Sequence, residues 1–162
     1  MVIRDSLKVS KAVVHTDVLI EHLCGQRQPS ILRLSLQKFF CYTTVFQAIE
    51  VFSLGRSESE FQAISDAMAA LKVLGLNAKN ARRYGELIGG RKGSDRWNLL
   101  IAGLCLESRL PLITDCVKDF RGVRGLVLIP TRLIPKFQSG DEILGALKRR
   151  GDRKIVSENV TG

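Results

Sequence analysis

Polar side chains follow several apolar β-like runs of the 162-residue sequence, at the points where the predicted strands end. In an open α/β sheet, ligands bind just beyond the carboxyl ends of the strands, so these side chains are the first candidates for chemistry. Carboxylates gathered there would attract a hard divalent cation, and they are costly unless paired, hydrogen-bonded or bound to a metal. The candidates are His15 to Asp17, Glu50, Asp95 to Asn98, Thr114 with Asp115, and Asp119.

The elements that must position these residues alternate between β-like and helical patterns, which predicts an α/β fold with a short parallel sheet flanked by helices. Apolar runs predict strands at 12–15, 39–43, 110–114 and 126–129. Apolar spacing and capping residues predict helices at 18–24, 31–38, from 45 through Glu50, 57–75, 77–88, 97–107 and 141–150. In the helix that begins at Ser57, Ser57 and Glu60 form a Ser-x-x-Glu capping pattern.

The length fits one compact domain, which we place at 1–134, followed by a C-terminal helix and basic tail at 135–162. Lys and Arg total 25 against 16 Asp and Glu, a net charge of +9 that favours polyanionic partners, and nucleic acid above all. With 45% hydrophobic residues, the chain is not an unstructured polycation.

No apolar run approaches the length of about 20 residues needed for a membrane span, and the N-terminal residues lack a secretory pattern. We therefore expect a cytoplasmic protein without a membrane partner. The four cysteines stand singly in apolar stretches without a Cys-x-x-Cys spacing, so we expect small buried side chains and neither a zinc cluster nor a disulfide.

Four of the sequence stretches carry a family resemblance when they are taken in order. Residues 14–20 resemble Leu-Asp-Thr-Asn-Val-Leu-Ile, and 44–50 resemble Ser-x-x-Thr-x-x-Glu. Residues 98–103 are similar to Asp-x-x-Ile-Ala-Ala, and 112–120 to Leu-x-Thr-x-Asn-x-x-Asp-Phe. These are motifs of the PIN domain family, and within it of the VapC toxin ribonucleases. The resemblance runs from about residue 12 to 129.

The resemblance implies a three-layer PIN-like fold, a homodimer, an antitoxin as a possible partner protein, and an acidic quartet. In the family, the quartet binds Mg²⁺ or Mn²⁺, which activates a water that cuts single-stranded RNA. Residue by residue, the quartet falls on His15, Glu50, Asn98 and Asp119. Because an imidazole and an amide replace two carboxylates, we expect the cation to be bound weakly or not at all.

Other residues could supply the missing charge. If the first strand continued through Asp17, that carboxylate would share a face with His15. Asp95 lies one helical turn before Asn98, and Asp115 is a further candidate ligand. A softer ion, Mn²⁺ or Zn²⁺, could be held by His15 together with Glu50 and Asp119.

Each of these residues also has a structural interpretation that stays open. His15 could be a hydrogen-bonded histidine at a strand end, Asp17 and Asp95 helix-start residues, and Asp115 a turn residue. Glu50 is harder to explain structurally, because we expect it on an apolar helix face, where an unpaired buried carboxylate destabilises.

Basic residues near the head of the helix predicted at 97–107 could bind RNA phosphates or simply face solvent. They are Arg82, Arg83, Arg91, Lys92 and Arg96. We expect Trp97 to lie in the core. The sequence thus predicts a VapC-like, metal-dependent ribonuclease weakened by the loss of two ligands, or alternatively a non-catalytic PIN module that binds RNA or a partner protein.

Overall fold

The computed structural model describes residues 9–158, with side chains up to residue 151. Five strands form one parallel sheet: β1 (Lys11–Val14), β2 (Phe40–Thr44), β3 (Lys72–Leu74), β4 (Leu112–Thr114) and β5 (Leu128–Pro130). Eight helices accompany them: α1 (Thr16–Leu23), α2 (Ile31–Lys38), α3 (Val45–Phe52), α4 (Glu58–Ala69), α5 (Ala81–Gly89), α6 (Arg96–Ser108), α7 (Val117–Phe120) and α8 (Gly140–Glu158). Two 3-10 turns cover Ala78–Asn80 and Thr131–Lys136.

Hydrophobic cores lie on both faces of the sheet, as expected of a parallel sheet covered by helices. Because successive strand residues point to opposite faces, Val14 packs with α1, α2 and α4, whereas Val13 packs with α6 and α7. Ile143 of α8 is fully buried in the first of these cores. The predicted α/β class, a parallel sheet between helical layers, is confirmed.

The order of the strands fixes where a site can form. The sheet runs β3-β2-β1-β4-β5, so the chain builds outward from β1 on one side and then returns to add β4 and β5 on the other. The carboxyl ends of β1 and β4 therefore form the topological switch point, where open α/β sheets bind ligands. The His15 N–H donates to the Ile113 carbonyl at 3.0 Å and holds these two strand ends together.

Local capping explains why α2 and α3 begin where the sequence predicts. Ser30 Oγ accepts the Arg33 N–H at the start of α2. At the start of α3, Thr44 and Gln47 form a reciprocal capping box. The fully buried Gln47 amide also donates to the Val14 carbonyl, which fixes α3 against the end of β1.

The region after α4 differs from the prediction. The helix expected to reach Gly75 ends at Ala69, and residues 72–74 form the edge strand β3 instead. Pairing of Tyr42 with Lys72 overrides the helical spacing. Ser57 does cap α4, but the Glu60 carboxylate accepts the Arg56 N–H at 2.6 Å and not that of Ser57.

The cysteines divide into two groups. Cys41 and Cys105 are buried as expected, whereas Cys24 and Cys116 are exposed, so the prediction of four buried side chains is wrong for two of them. Within residues 9–158, no helix is long and apolar enough to cross a membrane.

A glycine in α6 gives a test of the packing between α5 and α6. A Cβ on Gly103 would lie 2.5 Å from the buried ring of Tyr84, whose hydroxyl donates to Glu107 Oε2 at 2.5 Å. We expect Gly103→Ala to lower the free energy of unfolding by about 1–2 kcal/mol, because overpacking outweighs the gain in helix propensity. Urea denaturation measures the change.

Gly85→Ala in α5 is the matched control, since nothing lies within 4 Å of its added Cβ. This control should gain roughly 0.5–1 kcal/mol from helix propensity. Equal stabilisation by both substitutions would contradict the packing described for Tyr84.

Candidate functional site

The Asp17 carboxylate lies at the centre of the switch point. Its Oδ2 accepts hydrogen bonds from the Thr114 hydroxyl at 3.0 Å and from the N–H groups of Asp115 and Cys116 at 2.7 and 3.2 Å. Its Oδ1 accepts the Val18 N–H at 2.8 Å. One side chain on α1 thereby holds the turn that follows β4.

These contacts shift the ionisation of Asp17. Burial raises the pKa of the carboxyl, but the hydrogen bond and charge of His15, together with the bonds from Asp115 and Thr114, lower the pKa to about 2. Asp17 is therefore a permanent anion at neutral pH. Because the strand ends at Val14, Asp17 approaches His15 from the first turn of α1, not along a continued strand as the sequence suggested.

His15 bridges two of the other site residues. Its Nδ1 donates to Asp17 Oδ1 at 3.2 Å, and its Nε2 lies 3.3 Å from Oδ1 of Asn98 on α6. The residue is only 6% exposed, and its ring packs edge-on against Phe120 with centroids 5.0 Å apart. The imidazole thus fills the space between β1, α6 and α7.

Glu50 joins the site through a neighbour. Its Oε2 accepts the Thr16 hydroxyl at 2.6 Å, so the carboxylate lies beside the first turn of α1. The side chain is exposed, and the expectation of a buried carboxylate is wrong. The helix face that carries Glu50 points outward because Gln47 and Val51 supply the buried side of α3.

The remaining acids lie at the margin. Asp95 caps α6, where its Oδ1 accepts the N–H groups of Trp97 and Asn98 at 2.8 and 3.3 Å. Asp115 Oδ1 accepts the Thr131 hydroxyl at 3.0 Å, so this acid faces β5. Asp119 is exposed on α7.

The pKa of the exposed Cys116 thiol is affected by the acids that lie near it. Burial of the thiol, the charge and hydrogen bond of Asp17, and the charges of Asp119 and Asp115 raise its pKa to about 11. Asp17 accepts the Asp115 and Cys116 N–H groups, and the Asp119 N–H donates to the Cys116 carbonyl at 3.1 Å, so all three acids lie near the carboxyl end of β4.

The donors at this site do not fit a divalent cation. Mg²⁺ requires near-octahedral oxygen coordination, usually from carboxylates and waters. Here His15 contacts both Asp17 and Asn98, and both Asp17 oxygens already accept protein hydrogen bonds. Across the described side chains, no cluster of three or more His, Cys, Asp or Glu is arranged to hold a metal ion.

A basic rim flanks the site on two sides. One side comes from the α5–α6 loop and the start of α6, and the other from α7 and the turn after it. The two sides meet where Arg91 packs on Gly122, since a Cβ there would lie 2.7 Å from Arg91 Nη1. The basic rim consists of Arg91, Lys92, Arg96, Lys118 and Arg121.

Three of the predicted RNA-binding residues, Arg91, Lys92 and Arg96, belong to this rim. Arg82 instead pairs with Glu86 on α5 at 2.9 Å. Arg83, on α5, lies beside Tyr84 and Gly103, and Gly103 is nearer than Asn98 to the C-terminal end of α6. Lys118 and Arg121 were not predicted from the sequence, although their closeness to the motif around Asp119 was a usable signal.

Trp97 is also placed differently from the prediction. It is 44% exposed and packs edge-on against Phe46 of α3, with centroids 5.5 Å apart. The first turn of α6 leaves the sheet surface, so Leu99 and Ala102 enter the core and Trp97 does not. Thr16 and Thr114, which bind Glu50 and Asp17, were likewise not recognised as hydrogen-bonding partners.

No family model matches the sequence, and no curated protein matches it significantly. Solved structures do match. DNA-bound VapBC from Salmonella typhimurium is 18% identical with a TM-score of 0.63, over 74% of this chain and 96% of that one. A toxin-antitoxin complex from Klebsiella pneumoniae is 21% identical with a TM-score of 0.61, over 75% and 98%. VapBC2 from Rickettsia felis, bound to a promoter DNA fragment, is 18% identical with a TM-score of 0.59, over 72% and 96%.

The fold is that of a VapC-like PIN domain. The resemblance drawn from the sequence motifs is thereby confirmed at the level of fold. His15 and Asn98, the two residues that the motif resemblance aligns with the first and third acids, lie in contact. Glu50 and Asp119 lie at the same end of the sheet.

The depressed pKa of Asp17 predicts a pH-dependent loss of stability. Folding lowers this pKa from 3.8 to about 2, so the stabilisation is fully present above about pH 4 and is lost as the pH falls through 2. We expect Asp17→Asn to lower the free energy of unfolding by about 2 kcal/mol at pH 7, with a difference that shrinks below pH 4. Urea denaturation across this pH range measures it.

Asp66→Asn is the control, because Asp66 is exposed on α4 and, among the residues that the structure describes, its carboxylate accepts a hydrogen bond from Gln62 alone. It should leave stability nearly unchanged at every pH. A difference for Asp17→Asn that did not vary with pH would contradict the ionic role described here.

Proposed function

We propose that this PIN-like domain binds single-stranded RNA and does not cleave it by a metal-dependent mechanism. The observation that carries the proposal is the position of His15, which contacts Asp17 on one side and Asn98 on the other. This position of His15 favours the second of the two interpretations drawn from the sequence, the non-catalytic PIN module.

The charge of the site supports the loss of cleavage. A nuclease of the VapC type needs a cluster of uncompensated carboxylates to attract a divalent cation. Here Asp17 is compensated by His15 and by the donors on Thr114, Asp115 and Cys116. Glu50 and Asp119 are left as exposed acids, and the imidazole of His15 and the amide of Asn98 are poor ligands for Mg²⁺, which prefers the oxygens of carboxylates and water.

The basic rim supports RNA binding. Phosphate contacts supply most of the affinity for nucleic acid, and they need cations that remain accessible. Arg96 lies two residues before Asn98, and Arg121 follows Phe120, which packs on His15. Arg96 and Arg121 therefore lie close in the chain to residues that contact His15, and the net charge of +9 favours the same polyanionic partner.

A partner protein is the second candidate, favoured by one observation. An apolar cavity of about 190 Å³ opens between α1, α3 and α4, and it is lined by Ile20, Leu23, Val51, Leu54 and Ile64 among others. Leu54 is exposed at its edge. The solved neighbours are toxin-antitoxin complexes, so an antitoxin-like chain is the partner that would suit this cavity. A homodimer and a cytoplasmic location remain predictions.

Restoring the two missing carboxylates tests the loss of cleavage. We expect the wild-type protein to show no Mg²⁺- or Mn²⁺-dependent cleavage of single-stranded RNA. The double variant His15→Asp with Asn98→Asp should gain cleavage by at least about 100-fold, since each metal ligand contributes roughly 10-fold or more. Gel analysis of end-labelled RNA, with and without EDTA, measures the rates.

Adding Glu50→Gln to the double variant is the control for a contaminating nuclease, and it should abolish the gained activity. Metal-dependent cleavage by the wild type that disappears in Glu50→Gln alone would instead establish an active ribonuclease and overturn the proposal.

The salt dependence of RNA binding tests the basic rim. Each phosphate contact to a single strand contributes about −0.7 to the slope of log K against log salt. We expect Arg96→Gln with Arg121→Gln to weaken binding and to reduce this slope by about 1.4. Fluorescence anisotropy with a labelled oligoribonucleotide measures both quantities.

Arg149→Gln with Arg150→Gln removes the same charge from exposed positions on α8 and is the matched control. Neighbouring Leu144 and Lys148 line a cavity with Leu110 and Pro111, which precede β4, so α8 lies toward the opposite edge of the sheet. Equal changes in slope for both pairs would mean that RNA does not bind at the rim.

A further inference from the structure

Trp97 is the exposed aromatic side chain nearest to the His15 site. It occupies the first turn of α6, and its backbone N–H donates to Oδ1 of the capping residue Asp95 at 2.8 Å. The next residue, Asn98, contacts His15 Nε2 at 3.3 Å. The backbone of Trp97 is therefore fixed at the start of α6, one residue before the Asn98 that contacts His15.

The ring orientation is set by Phe46. The two rings meet at 77° with centroids 5.5 Å apart, so Phe46 covers at most one face of the indole. Trp97 remains 44% exposed, although it is among the largest apolar side chains of the protein. A fixed indole with an accessible face is a surface on which a planar group can stack.

The surroundings identify the planar group. Arg96 is adjacent in sequence, and the rest of the basic rim follows on either side of the site. Single-stranded nucleic acid is held by this combination of cations that follow the phosphates and aromatic rings that receive the bases. We propose that Trp97 is a stacking platform for a nucleobase of single-stranded RNA bound along the basic rim; the proposal rests on the RNA binding proposed above.

Charge argues against a second copy of the chain as the occupant. In a two-fold dimer, the same patch is presented by both subunits. Arg96 and the neighbouring rim cations would then face their own copies, which is unfavourable in a chain with a net charge of +9. The phosphates of RNA are negatively charged, so they would attract the same cations.

The chain contains one tryptophan, so its intrinsic fluorescence reports on Trp97 directly. The probes are an oligouridylate of roughly 10 nucleotides, within the range one site covers, and an abasic oligoribonucleotide of equal length and charge. We expect the oligouridylate to quench the fluorescence of the full-length protein, and the abasic strand to bind more weakly without quenching.

Substitution separates stacking from charge. Trp97→Leu should weaken binding of the oligouridylate by about 10-fold and leave the salt slope unchanged, whereas Trp97→Phe should retain most of the affinity. Phe40→Leu is the matched control: Phe40 is 50% exposed and begins β2, at the other end of the strand from the site. It should bind as the wild type does.

The outcomes are distinct. If RNA binds, and neither quenching nor a loss of affinity in Trp97→Leu is found, the stacking role is overturned and the proposed RNA binding stands. If the wild type binds neither strand, both proposals fail. If the fluorescence changes with protein concentration alone and Trp97→Leu alters the sedimentation coefficient, the occupant is a second copy and the stacking role is overturned.

Discussion

A partly buried carboxylate that must be satisfied by hydrogen bonds organises the functional end of this protein. Asp17 is 22% exposed at its side chain, and an anion so placed is tolerated only when donors surround it. Those donors come from three parts of the chain: His15 and Val18 around the start of α1, Thr114 at the end of β4, and the backbone that follows it. The Asp17 side chain thus adds to the backbone bonds between β1 and β4 and fixes the turn that follows β4.

His15 helps to satisfy the Asp17 carboxylate, and it does so with an imidazole in place of an acid. In the motif that the sequence resembles, this position carries an acid, and a second acid stands where Asn98 is found. Two more anions beside Asp17 would repel one another without a cation between them. The imidazole contacts both Asp17 and the Asn98 amide, so the centre is compensated by its own side chains.

The features predicted best from the sequence are those that neighbouring residues decide. The bounds of α2 and the start of α3 follow from capping by Ser30 and Thr44, which involves neighbouring residues only. The convergence of His15, Asn98 and Thr114 followed from the rule for parallel sheets. The edge strand β3 and the exposure of Glu50 and Trp97 were mispredicted, because pairing with β2 and the packing of α3 and α6 decide them. The contact of His15 with Asn98 joins residues 83 positions apart, beyond the reach of local patterns.

The acids around Cys116 have a consequence for its reactivity. A cysteine attacks electrophiles as the thiolate, and with a pKa of about 11 only about one molecule in ten thousand carries that form at pH 7. Alkylating agents and peroxide will therefore modify this side chain slowly, even though solvent reaches it. Burial of the thiol and the negative charges of Asp17, Asp119 and Asp115 thus protect an exposed cysteine from oxidation.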